Sequence, residues 1–257
     1  MSATLKIDFH THSEGSYDGK EPVELMLDHI EDEDIELDGF AVTDHDEIEQ
    51  SLEAEELAEN KNTLVIPGVE VSTADGHLLA IGVRERPEEQ KPFMETVKEI
   101  REMGGAAVVP HPFQKTRHGV SKRKINDIDA VEAFNAWLFT GFQNRRAKKF
   151  AENHDYPKVA GSDAHSLGMI GRAYTEIEIN KEKEQITSQD VVEAIREGET
   201  TMNGVRAPIY RAAYHYFKAS IRKIAYYSSK FLEKINEELY RYNRPLRELK
   251  NRGLGTS

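Results

Sequence analysis

The sequence contains no cysteine among its 257 residues. This absence excludes disulfides, thiolate zinc sites, iron–sulfur clusters and cysteine nucleophiles, so any metal must be bound by His, Asp or Glu. Long apolar runs are also missing. No stretch approaches the roughly 18–20 apolar residues that a membrane span needs, and the N-terminal segment has no apolar signal-peptide core. We therefore expect a cytoplasmic protein without a membrane span.

Positive charge is scarce in most of the chain. The net charge is −12, from 34 Lys and Arg against 46 Asp and Glu. Residues 206–257 carry 12 basic and 4 acidic residues, whereas residues 1–205 carry 22 basic and 42 acidic residues. An acidic body therefore precedes a basic tail. We expect this body to favour solubility and to repel nucleic acid except at the tail and at the site itself.

Apolar runs and helical patterns alternate along the body, which predicts an α/β fold. At this length a closed α/β barrel is a natural solution, although an open sheet is an alternative. The predicted strands cover 5–9, 37–43, 63–71, 77–83, 106–109, 130–134, 158–160 and 174–179. The predicted helices cover 22–30, 47–60, 92–103, 142–154 and 188–197.

Histidines and acidic residues cluster at the ends of the predicted strands. His10 and His12 end the first strand, and two residues this far apart in extended chain point to the same side. Residues that follow barrel strands converge at one mouth, although they are distant in sequence. Imidazole and carboxylate without sulfur suit Zn, Mn or Fe, and so many ligands imply two or three ions. The other strand-end residues are Asp44, His45, Glu70, His77, His111, Asp163 and His165.

Five short motifs in this set resemble those of the PHP (polymerase and histidinol phosphatase) superfamily of metal-dependent phosphoesterases. They are DFHTHS from residue 8, TDHD from 43, PGVE from 67, PHP from 110 and GSDAH from 161. Together they occur in the family's order and span residues 5–180. The resemblance implies a distorted (β/α)7 barrel in residues 1–205, with a trinuclear metal site and divalent ions such as Mn²⁺, Zn²⁺ or Fe²⁺.

The resemblance also implies which residues bind each ion. One ion would be held by His10, His12, Glu70 and Asp163. A second would share Glu70 and add His77 and His111, and a third would use Asp18, His45 and His165. Glu132 and Asn135 are either groups that support these ligands or ordinary strand-end residues.

The activity that the resemblance implies is hydrolysis of a phosphate ester by a hydroxide bridging two ions. We expect Asp44 to orient a ligand, Arg172 to clamp phosphate, and His118 to act in catalysis. Lys115 and Arg117 are further candidates for binding the substrate. The motif set is most similar to the stand-alone branch that acts on nucleoside 3′,5′-bisphosphates or releases 5′-nucleotides from short RNA.

The sequence is also compatible with three other functions. One alternative is a histidinol-phosphatase-like enzyme or another phosphomonoesterase. Another is a non-catalytic PHP module that binds RNA or protein, although retention of all nine expected ligands argues against it. A hydrolase acting on something other than phosphate is a third.

Residues 206–257 are predicted to form a basic, amphipathic helical tail. Apolar residues from Ile209 to Leu239 recur at intervals of three or four residues, and once seven, and Lys, Arg and Tyr lie between them. We expect the tail to pack on the body or to pair with a second copy of the chain. Contact with RNA through its cations and tyrosines, or with a membrane surface, is the alternative.

Overall fold

The computed structural model describes residues 2–32, 35–138, 141–208 and 210. The predicted α/β class is confirmed, since these residues form nine strands and five α-helices. The strands are β1 (Ala3–Thr11), β2 (Gly39–Val42), β3 (Leu64–Thr73), β4 (Gly76–Ile81), β5 (Ala106–Val109), β6 (Ala130–Asn135), β7 (Lys158–Gly161), β8 (Ala173–Ile179) and β9 (Thr200–Gly204). The helices are α1 (Val23–Ile30), α2 (Glu49–Ala58), α3 (Phe93–Glu102), α4 (Gly141–Asn153) and α5 (Ser188–Glu197).

All nine described strands belong to one sheet, in the order β7-β6-β5-β4-β3-β2-β1-β8-β9. The sheet curves until β7 contacts β1, β8 and β9, and an isolated bridge joins Thr11 to Ala164. The result is a nearly closed barrel, as the sequence predicts. The strand count differs, since the described part of the chain contains nine strands rather than seven.

The extra strands reflect antiparallel connections within the barrel. β1, β2 and β3 are parallel, as are β5, β6 and β7, but β4 runs antiparallel to both of its neighbours. β8 and β9 are also antiparallel to the strands beside them. A turn at Ala74 and Asp75 joins β3 to β4 directly, without the helix that a parallel crossover requires. The sequence did not predict β9, because TTMNG is mostly polar and shows no alternation of apolar and polar residues.

The inside of the barrel is apolar beneath the strand ends. Eight strands, β1 to β8, contribute to one buried cluster that includes Leu5, Ile81 and Val159, and α5 packs against it. α5 begins with a reciprocal cap between Thr187 and Asp190 and ends at Gly198, whose φ of 78° suits glycine. A second cluster packs α3 and α4 against β3, β4, β5 and β6.

The predicted helical tail lies outside the described residues, apart from 206–208 and 210. The division of the chain at residue 205 therefore remains a prediction. Among the described helices, none is long and apolar enough to cross a membrane.

Candidate metal centre

The barrel brings all nine predicted metal ligands to one end of the sheet. Their side chains come from β1, β3 and β4 and from the loops that follow β1, β2, β5 and β7. Each side chain is at most 11% exposed. Donor atoms from eight of these residues, all except His165, form four overlapping groups, and within each group the atoms lie within 4.8 Å of one another.

The first predicted set meets around the two histidines of β1. His10 Nε2 lies 3.1 Å from His12 Nε2, and each lies 3.3 Å from Glu70 Oε2. Asp163 Oδ1 lies 3.7 Å from His10 Nε2 and 3.5 Å from His12 Nε2. Two imidazoles and two carboxylates therefore direct donor atoms at one small volume.

Glu70 connects this set to the second. Its Oε1 lies 2.8 Å from His77 Nδ1 and 3.1 Å from His111 Nε2. Its Oε2, which faces His10 and His12, also lies 3.3 Å from His45 Nδ1. One carboxylate thus touches five histidines, which is the arrangement expected of a bridging ligand.

The third predicted set lies beside the first. Asp18 Oδ2 is 3.0 Å from His165 Nε2 and 3.8 Å from His45 Nε2. Gly19 explains why this loop can approach β1, because a Cβ at that position would overlap the Ser13 carbonyl oxygen. Glycine therefore lets Asp18 reach the histidines.

Glu132 and Asn135, on β6, support the ligands directly. Glu132 Oε1 lies 3.0 Å from His10 Nδ1, and its Oε2 accepts the backbone N–H of His111 at 2.7 Å. The Asn135 amide donates to Glu132 Oε2 at 3.0 Å and to Asp163 Oδ2 at 2.9 Å. The register of β6 shifts between Glu132 and Phe134, and such an irregularity can redirect side chains toward a site.

The backbone is unusual at two of the ligands. His111 and Asp163 have positive φ angles of 28° and 56°, a region that costs non-glycine residues about 1–3 kcal/mol each. The contacts from Glu132 and Asn135 oppose relaxation at these two positions. Two of the predicted metal ligands are therefore held in strained backbone conformations.

Two aspartates organise the loops around β1. Asp44 accepts the backbone N–H of Ser13 at 2.8 Å and also the Ser13 hydroxyl. It therefore orients the loop that follows His12, and its predicted role in orienting a ligand stays a prediction. Asp8, which the sequence analysis did not single out as a site residue, accepts backbone N–H groups of Ser162 at 2.8 Å and Gly171 at 2.9 Å. Its place in the DFHTHS motif was the available signal.

The three residues predicted to bind the substrate, and the predicted catalytic residue His118, lie in different places relative to the predicted ligands. Arg117 donates to Asp163 Oδ1 at 2.8 Å, so its charge reaches the centre itself. Lys115 and His118 are exposed and line a cavity of about 600 Å³ that also contains His45 and His77. Arg172 precedes β8, and its Nη2 donates to the backbone oxygen of Arg206 at 3.3 Å. Three of the four therefore border the cavity or the centre.

Charges within the centre stabilise one another. Burial favours the neutral form of His12, but hydrogen bonds to Asp163 and Glu70 raise its pKa to about 9. The pKa of His10 also lies well above its usual value, because neighbouring carboxylates outweigh the effect of burial. Facing histidines, and Arg117 beside Asp163, hold the pKa values of Glu70 and Asp163 well below their usual range despite burial. The two carboxylates are therefore ionised at neutral pH.

The donor set fits divalent ions. Because His10 Nδ1 faces Glu132 and His12 Nδ1 faces the Ser16 hydroxyl at 2.9 Å, both Nε2 atoms point at each other and at Glu70. Buried Asp18 Oδ1 and His111 Nδ1 have no hydrogen-bond partner among the described residues. A cation satisfies this convergence of lone pairs and negative charge, and imidazole with carboxylate suits Zn, Mn or Fe.

Sequence comparisons match parts of this chain to a family model and to another protein. A PHP-associated family model matches residues 141–200. An uncharacterized protein of Methanocaldococcus jannaschii is 28% identical over 189 residues, which cover 70% of this chain and 73% of that protein.

Solved structures share the fold at low sequence identity. A two-domain protein of Bacteroides vulgatus containing a predicted PHP-like metal-dependent phosphoesterase has a TM-score of 0.65 and 22% identity, covering 79% of this chain and 66% of that one. The lesion-specific endonuclease PfuEndoQ of Pyrococcus furiosus has a TM-score of 0.54 and 18% identity, covering 78% and 58%. This chain thus spans two thirds or less of these two proteins. The resemblance to the PHP superfamily predicted from the motifs is confirmed.

Proposed function

We propose, on the premise of the confirmed PHP resemblance, that this chain is a metal-dependent phosphoesterase. The observation that carries the proposal is the convergence of His10, His12, Glu70 and Asp163 with five further ligands at one barrel end. A module that only bound RNA or protein would have no need of nine buried ligands, whose desolvation costs stability.

The ligand sets predicted from the motifs are those we assign to the ions. His10, His12, Glu70 and Asp163 would hold one ion, and Glu70, His77 and His111 a second. Asp18, His45 and His165 would hold a third. Divalent ions bound there supply a Lewis acid for phosphoryl oxygens and lower the pKa of water.

The residues around the ligands position the substrate and the protein groups that act on it. Glu132 keeps the His10 proton on Nδ1, so Nε2 presents its lone pair to the centre. Arg117 and Lys115 offer positive charge to phosphoryl oxygens beside the acidic ligands. His118 lies with its ring over that of His77, at a centroid distance of 5.1 Å, and we assign it proton donation to the leaving-group oxygen. Asp44 acts through Ser13 and the loop after His12.

We infer that the substrate is a nucleotide or a short nucleic acid. The similarity to PfuEndoQ, a lesion-specific endonuclease, supports phosphodiester or phosphomonoester chemistry on this fold. The excess of acidic residues in 1–205 disfavours a long duplex along the body and favours a small substrate. Contact of the basic tail with RNA, or with a second copy of the chain, stays a prediction.

Release of inorganic phosphate from adenosine 5′-monophosphate with Mn²⁺ tests the proposal. We expect release that stops when a chelator is added and resumes when Mn²⁺ is restored. A metal-loaded, folded sample that hydrolyses neither this compound, a 5′-phosphorylated RNA nor a simple phosphomonoester would contradict it.

A further inference from the structure

The cavity of about 600 Å³ beside the metal centre has a surface that the metal chemistry does not use. Its lining includes the ligands His45 and His77, and it continues past them to Tyr17, Asp46 and Gln90. A volume of this size holds a molecule comparable to a nucleoside. A phosphate bound at the ligands would therefore leave its ester group in this cavity.

Four aromatic rings form a continuous row along the lining. The ring of Tyr17 stacks on that of His45 at a centroid distance of 4.9 Å and an angle of 16°. The rings of His45 and His77 are 5.0 Å apart, and the ring of His118 stacks on that of His77 at 5.1 Å. The two ligand rings thus lie in the middle of the row, and Tyr17 and His118 stand at its ends.

Tyr17, at one end of this row, has a highly exposed ring. It is 76% exposed, which is exceptional for a large side chain beside so many buried groups. One face of its ring lies on His45, and the exposed remainder borders the cavity. A planar group that stacked there would lie beside His45, one of the predicted ligands.

The charges of the cavity argue for a neutral group at this position. Asp46 and Asp75 are acidic, and Lys115 is the one Lys or Arg among the described lining residues. Asp75 is paired with Lys124 at 3.1 Å, whereas the Asp46 carboxylate accepts the Ser72 backbone N–H at 2.7 Å through one oxygen. The two carboxylates disfavour an additional phosphate in the cavity. They can accept hydrogen bonds from hydroxyl or amino groups of a neutral ligand.

We propose that Tyr17 forms a binding subsite for a planar aromatic leaving group of about nucleoside size. This inference rests on the proposed function, because the bound group is a leaving group only if the chain hydrolyses a phosphate ester. It extends that function by naming the chemical class of the group that the cavity binds. Stacking of a base on an aromatic side chain is favourable and tolerant of sequence, which suits recognition by a single ring. Tyr17 is thus a specificity-determining residue outside the catalytic machinery.

The experiment compares Tyr17→Ala, Tyr17→Phe and the wild type. Calorimetric titration with adenosine, which carries no phosphate, measures binding independently of turnover. We expect Tyr17→Ala to weaken adenosine binding about tenfold and Tyr17→Phe to retain it, because the phenyl ring preserves the stacking surface. Phe142→Ala, which removes another exposed ring outside the cavity lining, is the matched control and should bind like the wild type.

The same variants are then assayed with Mn²⁺ on adenosine 5′-monophosphate and glycerol 2-phosphate. We expect Tyr17→Ala to raise the KM for the nucleotide about tenfold and to leave that for the glycerol ester within about twofold. Equal adenosine binding by wild type and Tyr17→Ala, or none by the wild type, would overturn the inference. Hydrolysis of glycerol 2-phosphate would then still support the proposed function. Tyr17-dependent adenosine binding without hydrolysis of either ester would support the subsite and contradict the proposed function.

Discussion

The same strands build two halves of the barrel interior: an apolar lower half, and a polar upper half that contains the predicted metal ligands. In the lower half, Ile81 of β4 and Val159 of β7 are fully buried among apolar neighbours. In the upper half, His77 of β4 and Asp163, two residues beyond β7, belong to a cluster of imidazoles and carboxylates. A distance of four residues along the chain therefore separates apolar packing from the candidate metal centre.

The difference shows where this fold gains and loses stability. Burial of apolar surface stabilises the lower half by about 25 cal/mol per Å². The upper half places ionised groups in a desolvated volume, which costs free energy unless each charge is compensated. The register of β1 shifts between Asp8 and Thr11, at the transition from Leu5, Ile7 and Phe9 to the two histidines. We infer that the lower half stabilises a fold whose upper half is destabilised until metal binds.

Glu70→Gln and Ile81→Ala should separate the two halves most sharply. Loss of the shared carboxylate should reduce turnover at least about 1,000-fold, the scale of removing a group that stabilises transition-state charge, and lower metal content. Ile81→Ala should instead cost about 2–5 kcal/mol of unfolding free energy while the folded protein keeps its metal. Denaturant unfolding, elemental analysis and phosphate release measure the three quantities. A Glu70→Gln protein with full turnover would refute the assignment of Glu70.

Removal of the metal should affect stability next most strongly. Metal at about 1,000 times its Kd adds about 4 kcal/mol to a protein that binds it only when folded. For a body of about 200 residues, chelation should then lower the Tm by about 8–16 °C. Scanning calorimetry of wild type and Ile81→Ala, each with and without chelator, provides the comparison. Equal Tm values with and without chelator would show that the upper half is stable without its ions.

The two halves also differ in how much of each was predictable from sequence. Apolar runs identified eight of the nine strands in the described residues, because buried strands are continuous and hydrophobic. The nine predicted ligands come from the motif resemblance. Asp8 begins the first of those motifs, but its role as an acceptor for Ser162 and Gly171 depends on contacts between residues distant in sequence. The contact of Arg117 with Asp163 joins residues that are 46 positions apart, and Arg117 lies in a strained loop. Local sequence patterns do not predict a contact between residues so far apart.

Glu132→Gln should weaken the upper half without removing a ligand. Its carboxylate fixes the His10 ring and the His111 backbone, so the neutral amide should reduce metal affinity about 10–100-fold. Activity at saturating Mn²⁺ should return to within a few-fold of the wild type. Titration with Mn²⁺ while activity and fluorescence are followed tests both expectations. The matched control is Glu178→Gln, an exposed carboxylate on β8; an equal effect there would contradict a positioning role.

The affinity of the polar half for metal should rise with pH. The pKa of His12 is raised to about 9 in the metal-free fold, so its proton stabilises this fold fully below about pH 6.5 and ceases to do so as the pH rises toward 9. Metal binds the neutral ring and must release that proton. Between about pH 6.5 and 9, affinity should therefore increase about tenfold per unit for each proton released. Fluorescence of Trp137, the only tryptophan, reports binding because its ring lies 6.3 Å from that of His165.

Arg172→Ala should have the smallest effect, because its guanidinium contacts the Arg206 backbone and Arg172 is not among the described residues that line the cavity. We expect the KM for a phosphomonoester to rise about tenfold, which corresponds to the roughly 1.5 kcal/mol of a charged hydrogen bond. Metal content and Tm should stay at wild-type values, and Arg172→Lys should recover only part of the loss because a point charge cannot bind phosphate through two nitrogens. An unchanged KM would assign Arg172 to the backbone contact with Arg206 alone. A loss of metal instead would show that Arg172 supports metal binding, and the polar half of the barrel would then extend to the start of β8.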